Sequence, residues 1–225
     1  MPKMERFFDQ EFGSLRQQIL EMGAAVEKAI ENAVRGLIER TPESFNQVYA
    51  YETKINQFHI SIDEACMRVL ARQAPMASDL RLVLGCIKIN SDLERMGDQA
   101  VNISHCGRHY LSELPLKPLV DLPKMAEEVR KMTRDALNAF FHQDQELAKK
   151  VVINDDIVDR YKNEIFQELI GIMKSNPATV DRAMDLILIS RNLERIGDHA
   201  TNIAEDVIFV ASGVDIRHGS AKSVG

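Results

Sequence analysis

One ten-residue stretch occurs twice in the chain, and it restricts the possible fold more than any other feature. Residues 93–102 read LERMGDQAVN and residues 193–202 read LERIGDHATN, so the copies are 100 positions apart. In each copy a glutamate, an aspartate and an asparagine follow one another at intervals of four residues, along one side of a helix. Like charges at this spacing and a glycine inside a helix are both unfavourable. We therefore predict that a bound cation and a closely packed neighbouring helix compensate for them.

Proline and helix-capping residues divide the sequence into six predicted helices. Within each stretch the apolar residues recur at steps of three and four, and no alternation typical of strands occurs. The predicted helices cover approximately residues 5–40, 42–74, 79–110, 123–142, 145–174 and 177–212. Their ends are marked by Thr41-Pro42, Asp144, Asn176-Pro177 and Ser212-Gly213. The fold is therefore predicted to be all-α.

The second three helices repeat the first three. Over the first two helices of each half, corresponding residues are 103 positions apart, as for Val26 and Val129. Beyond Pro75 and Pro177 the distance falls to 100, which is expected if the turn there is three residues shorter in the second half. A common register over this much chain indicates the internal duplication of a three-helix unit.

The repeat and the composition together define the predicted domains. With 225 residues, 45% of them hydrophobic and 28% charged, the chain has the composition of an ordinary soluble protein. We predict two tandem three-helix bundles, formed by residues 1–111 and 123–213 and joined by a proline-rich linker over 112–122. Residues 214–225 are small and polar, and we expect them to form a disordered tail.

Charge and hydropathy argue against several classes of function. The net charge of −6 disfavours nucleic-acid binding, which needs a basic face. No apolar run approaches the roughly 18 residues of a membrane span, and the N-terminus lacks the apolar core of a signal peptide. A cytoplasmic protein without direct membrane insertion is expected. Its cysteines, Cys66, Cys86 and Cys106, lack metal-site spacing and are interpreted as reduced structural thiols.

The repeated carboxylates are the candidate functional residues. On a helical projection of the sixth helix they lie away from the apolar stripe, so we expect them on a face open to solvent. Because the second and third helices run antiparallel about the turn near Pro75, Glu52 comes level with Asp98. The equivalent count in the second half brings Asp155 level with Asp198. Each motif therefore meets oxygen-bearing side chains of a neighbouring helix.

Two carboxylate-rich metal sites are predicted on this basis, one in each half. Oxygen ligands favour hard cations such as magnesium, manganese or iron. The predicted ligands are Glu52, Glu94, Asp98 and Asn102 in the first half, and Asp155, Asp159, Glu194, Asp198 and Asn202 in the second. The alternative is an acidic face that is only solvated. His105 and His109 have no repeated counterparts and are interpreted as surface histidines.

The doubled motif also carries a resemblance to a known family. With Glu94 and Asp98, Glu194 and Asp198, and the segment 75–81 ahead of the first copy, the sequence resembles the PhoU family of bacterial phosphate-transport accessory proteins. The resemblance extends over nearly the whole chain. It implies two three-helix bundles with surface-exposed multinuclear metal clusters, containing iron or zinc, at the motifs.

The resemblance implies a function as well. It points to a non-enzymatic negative regulator of the phosphate-starvation regulon, which links the ATPase of the phosphate ABC transporter to the sensor histidine kinase. We also expect a homodimer, because long helices with exposed stripes favour association. One position departs from the family pattern, since Asn56 stands where the second half has Asp159. The first site is therefore expected to bind metal more weakly than the second.

Two other classes of function remain open on the sequence. A metal-dependent hydrolase or oxidase could use the carboxylate clusters, although neither motif is accompanied by a repeated nucleophile or general base. A purely structural helical protein would carry the same acidic faces without metal. Metal analysis of the purified protein separates the structural class from the others. An assay of phosphatase or oxidase activity on the metal-loaded protein tests the enzyme.

Overall fold

The computed structural model describes the backbone of residues 2–73 and 75–216, and the side chains of residues 10–72 and 75–216. Six long α-helices account for most of this part of the chain, which contains no strand. The helices are α1 (Pro2–Ile38), α2 (Pro42–Gln73), α3 (Ser78–Leu111), α4 (Asp121–His142), α5 (Gln145–Ser175) and α6 (Val180–Ser212). The predicted all-α fold of six helices is confirmed.

Three helix boundaries coincide with predicted capping residues. Pro42 is the first residue of α2, and Gly213, at a φ of 76° in the left-handed region, terminates α6. Asp144 caps α5, because its carboxylate accepts hydrogen bonds of 3.0 Å from the backbone N–H groups of Glu146 and Leu147. These contacts satisfy backbone donors that the first turn of a helix leaves unpaired.

The sixth helix begins later than the sequence indicates. Asn176 acts as a cap, accepting a 3.2 Å hydrogen bond from the N–H of Ala178. The next residues, Pro177–Thr179, form a 3-10 turn before α6 starts at Val180. The Thr179 hydroxyl donates back to the Asn176 carbonyl at 2.7 Å, which favours the tighter turn at this helix start.

The six helices form two three-helix units that share one hydrophobic core. The helices α1, α2 and α3 pack on one another, as do α4, α5 and α6. The units meet through α1 against α4 and, more extensively, through α3 against α6. Apolar residues of both units belong to one continuous buried cluster. The outer helices are therefore α2 and α5, and the other four helices lie between them.

Polar contacts cross the interface of α3 and α6, which we call the α3–α6 seam. Lys88 Nζ lies 3.0 Å from Oδ1 of the buried Asp206. At the other end of α3, His109 Nδ1 lies 2.7 Å from Asp185 Oδ2, and this hydrogen bond raises the pKa of His109. His109 is exposed as predicted, but it also joins the two units. The pairing of residue 88 with 206 and of 109 with 185 shows that the helices run antiparallel.

Both segments predicted to be irregular contribute residues that pack against the core. In the predicted linker 112–122, the N–H of Leu116 donates to the Tyr110 hydroxyl at 3.0 Å, and the Leu116 side chain is partly buried. Beyond α6, Ile216 is also packed against the core. The remainder of the predicted disordered tail, residues 217–225, lies outside the described residues.

Phe45 of α2 is the clearest case of shape complementarity in the first unit. Its ring is fully buried. A Cβ atom placed on Gly36 of α1 would lie 2.6 Å from the ring, and one on Gly107 of α3 would also lie 2.6 Å from it. Only glycine at both positions leaves room for the ring. The repeat-related residues of the second unit are the buried Ala148, Ala139 and Val207. The second unit therefore fills this level with a small residue on α5 and a larger one on α6.

The three cysteines are free thiols. Cys66 and Cys86 are buried in the core, and burial raises the pKa of each thiol to about 12. Cys106 is half-buried, and burial raises its pKa as well. Thiolate, the reactive and metal-binding form, is therefore scarce at neutral pH, as expected for structural thiols.

Candidate functional site

The glycine of each motif lies against the outer helix of its own unit. A Cβ atom on Gly97 would lie 3.0 Å from Ile55 Cδ1 of α2. A Cβ atom on Gly197 would lie 3.4 Å from Val158 Cγ1 and 3.6 Å from Asp155 Oδ1, both on α5. The predicted close helix neighbour at each glycine is confirmed. This approach brings the outer helices within side-chain reach of the motif carboxylates.

In the second half, carboxylates of α5 and α6 come together as the residue count indicates. We call Asp155, Asp159, Glu194 and Asp198 the second carboxylate cluster. Lys162, one turn beyond Asp159 on α5, connects the two helices. Its Nζ lies 3.0 Å from Asp159 Oδ1 and 2.9 Å from Glu194 Oε1. The repeat gives no signal for Lys162, because the equivalent residue in the first half is His59.

The second carboxylate cluster carries more negative charge than its surroundings stabilise. Partial burial, followed by the charges of Asp198 and Asp159, raises the pKa of Asp155 from 3.8 to about 6. Partial desolvation and the charges of Glu194 and Asp159 raise the pKa of Asp198 in the same way. The hydrogen bonds to Glu194 and Asp159 raise the pKa of Lys162, which therefore stays protonated. The Lys162 ammonium contacts two of the four carboxylates, Asp159 and Glu194, so a further cation beside Asp155 and Asp198 would be electrostatically favoured.

In the first half the corresponding residues are fewer and differently arranged. We call Glu52, Glu94 and Asp98 the first carboxylate cluster. Glu94 is half-buried and Asp98 is exposed on α3. On α2, the Asn56 amide donates a 2.8 Å hydrogen bond to Glu52 Oε1. The neutral Asn56 is thus hydrogen-bonded to Glu52. It lies at the level where the second half has the charged Asp159.

The motif asparagines do not join the clusters in the same way. Asn202 donates a 3.3 Å hydrogen bond to Asp92 Oδ1 across the α3–α6 seam, and His199 Nδ1 lies 2.8 Å from the same oxygen. Successive positions four residues apart rotate by about 40° around a helix, so Asn202 has turned away from Glu194. Asn102 is exposed on α3. The repeat gives no signal for Asp92 either, because the equivalent residue in the second half is Asn192.

The second carboxylate cluster suits a hard cation in donor chemistry, although it is not a ready coordination shell. Among the described residues, no three carboxylate, imidazole or thiol groups converge closely enough to hold a metal ion as they stand. The four carboxylates nevertheless supply only oxygen donors, from two helices. The Lys162 ammonium between Asp159 and Glu194 already stands in for a cation. Residues of this cluster could hold a metal after side-chain rotation.

Comparison with known proteins establishes the family. The family model described as "PhoU domain" matches twice, over residues 19–106 and 122–207. A phosphate-specific transport system accessory protein PhoU homolog of Pseudomonas putida is 40% identical over 216 residues, covering 96% of this chain and 84% of the relative. The Escherichia coli accessory protein PhoU is 31% identical over 94% of this chain and 88% of its own length.

Solved structures agree with this match. The crystal structure of PhoU from Pseudomonas aeruginosa superposes with a TM-score of 0.89 at 38% identity, covering 92% of this chain and 100% of the other. The phosphate transport system regulatory protein PhoU of Streptococcus pneumoniae gives a TM-score of 0.83 at 29% identity, over 92% and 98% of the two chains. The chain belongs to the PhoU family, and its two tandem three-helix units are the repeated PhoU domain.

One further property concerns the membrane. None of the helices in the described ranges is long and apolar enough to cross a bilayer.

Proposed function

We propose that this protein is a metal-binding regulatory adaptor of phosphate uptake. The regulatory part is supported by relatives whose names give an accessory role in phosphate transport. Their alignments cover 94–96% of this chain. In this proposal it represses the phosphate-starvation regulon by contacting the ATPase of the phosphate ABC transporter and the sensor histidine kinase. It works in the cytoplasm, reaches the inner membrane through these protein contacts, and forms a homodimer.

The metal part of the proposal rests on the second carboxylate cluster. Partial burial, followed by the charges of Asp198 and Asp159, raises the pKa of Asp155, so ionisation of this carboxyl group is disfavoured. A divalent or trivalent ion of iron, zinc, manganese or magnesium would relieve this repulsion. The first carboxylate cluster, with Asn56 in place of an acid, is proposed to bind the same ion more weakly. Bound metal on an exposed helix pair could also accept carboxylates from a partner protein.

Metal content tests the proposed site. Purified protein is expected to carry divalent or trivalent metal, and the double substitution Glu194→Ala/Asp198→Ala should remove most of the metal bound in the second half. Elemental analysis of the purified variants measures this. Glu164→Ala, which removes an exposed carboxylate from α5, is the matched control and should leave the metal content unchanged. Equal metal in the double variant and the unaltered protein would refute the assignment.

A starvation reporter tests the regulatory role. Deleting the gene should leave an alkaline-phosphatase reporter switched on in abundant phosphate. A variant with alanine in place of Glu94, Asp98, Glu194 and Asp198 should fold but restore repression poorly, because the bound metal would be lost. Full repression by this variant would place the regulatory surface elsewhere. A reporter that stays off after deletion would refute the regulatory proposal and favour the metalloenzyme.

A further inference from the structure

We propose that Lys162 is a built-in counter-cation that competes with metal for the second carboxylate cluster. The ion would enter only as the Lys162 ammonium leaves Asp159 and Glu194. This inference rests on the proposed metal function and specifies how the site is controlled. It assigns a role to a residue outside the repeated motif.

The geometry shows that Lys162 takes up two of the four carboxylates. Its ammonium lies 3.0 Å from Asp159 Oδ1 and 2.9 Å from Glu194 Oε1, and it therefore bridges α5 and α6. Its side chain is 28% exposed and that of Glu194 is 21% exposed, so both charges are partly shielded from water. An ion bound at either carboxylate would lie close to the Lys162 ammonium, so the two positive charges would repel each other and compete for the same group.

The surroundings offer the displaced side chain a place to go. A cavity of about 330 Å³ adjoins the cluster and is lined by Lys162, Glu194, Asn163, Phe166, Ser190 and Arg191. The lysine stem is long and flexible, and the aromatic ring of Phe166 can cover its methylene groups while the ammonium remains in water. The displaced Lys162 side chain can therefore lie in this cavity.

Charge counting shows why the competition matters. Four carboxylates and one ammonium leave the second cluster with a net charge of −3, equal to that of the three carboxylates of the first cluster. The residue equivalent to Lys162 in the first half is His59, whose Nε2 lies 3.6 Å from Asp63 Oδ2 and is directed to a carboxylate outside the first cluster. Until an ion displaces it, Lys162 thus masks the extra charge of Asp159; once displaced, it leaves the second cluster with one carboxylate more than the first. It also favours multivalent ions, because a monovalent ion offers the carboxylates no more charge than the ammonium it replaces.

Manganese titration of the full-length protein tests this role. After treatment with chelator, isothermal titration with Mn²⁺ is carried out on the unaltered protein and on Lys162→Met. The dissociation constant of one of two sites should fall by about tenfold in the variant, since a positive charge beside the ion is removed. Lys162→Gln should shift it in the same direction, and serves if the methionine variant does not fold. Lys162→Arg should bind as the unaltered protein does.

A second lysine of α5 provides the matched control. Lys149 forms a 2.8 Å contact with Glu146 on the same helix, and Lys149→Met should leave both Mn²⁺ sites unchanged.

Two results would overturn the inference, and they differ in what they leave standing. The first result is two Mn²⁺ sites whose affinities are the same in Lys162→Met and Lys162→Gln as in the unaltered protein. It would overturn the role of Lys162 but leave the metal function intact. Absence of Mn²⁺ binding in all these proteins would overturn both.

Discussion

Replacement of Phe45 by alanine is expected to lower the free energy of unfolding by about 3–5 kcal/mol. The ring is fully buried between Gly36 and Gly107, and two glycines in helices α1 and α3 cannot fill the space that it leaves. The surrounding helices are held by their other contacts and can close the cavity only in part. Urea unfolding followed by circular dichroism measures the change, provided that the slope of the transition stays constant.

Phe166 gives the control for this substitution. It is 40% exposed on α5, so that Phe166→Ala should cost about 1 kcal/mol or less. A complementary test uses the second unit, where Ala148 occupies the position equivalent to Phe45. Ala148→Phe should destabilise by about 1–3 kcal/mol, because Ala139 and Val207 leave no room for a ring. A loss below about 1 kcal/mol for Phe45→Ala would contradict the close packing described at this level.

The second large effect is expected at Asp155 and depends on pH. Its pKa is about 6 in the folded protein against an ordinary value of 3.8, so the folded state binds this proton more tightly than the unfolded chain does. The stabilising contribution of protonation is present at low pH and is lost as the pH rises through 6. At pH 7.5 the ionised carboxylate therefore lowers the free energy of unfolding, and Asp155→Asn should stabilise the protein. After allowance for solvent screening of this half-buried group, we expect about 1–2 kcal/mol.

The advantage of Asp155→Asn should shrink as the pH falls from about 6 towards 4, because the unaltered side chain then becomes neutral as well. Urea unfolding in the presence of chelator, at several pH values, measures the difference. Glu164→Gln, at an exposed position on the same helix, should change the free energy of unfolding by less than about 0.5 kcal/mol throughout. Destabilisation by Asp155→Asn at pH 7.5 would show that the carboxylate has a favourable partner. In the presence of Mn²⁺ the unaltered protein should be more stable than Asp155→Asn, because the ion binds the charged carboxylate.

Features that depend on local sequence could be predicted well. Asp144 and Gly213 act as the helix signals that their chemistry indicates, since capping involves residues only a few positions apart. Counting residues from the turn also identified which side chains lie level on neighbouring helices, because antiparallel helices joined by a short turn must align residue by residue. Asp155 accordingly lies beside Gly197, within reach of Asp198.

Features that depend on contacts between the two halves could not be predicted. Asp92 with His199, and His109 with Asp185, meet only because α3 packs against α6, and no short-range pattern records which helices become neighbours. Lys162 was missed for a different reason. A repeat search selects what both halves share, and this lysine is where the halves differ.

The contact between Asp92 and His199 at the α3–α6 seam also distinguishes the two halves of the chain. The two units meet as the subunits of a two-fold dimer would, within one polypeptide, and such isologous contacts occur in reciprocal pairs. Here the two reciprocal contacts differ. One pairs Asp92 with His199, and the equivalent residues for the other are Asn192 and Gln99. A first half paired with its own copy would set Asp92 against Gln99, and a second half would set Asn192 against His199. Neither like-with-like pairing brings the aspartate and the histidine together, so this hydrogen bond favours the pairing of unlike halves, as in a heterodimer interface.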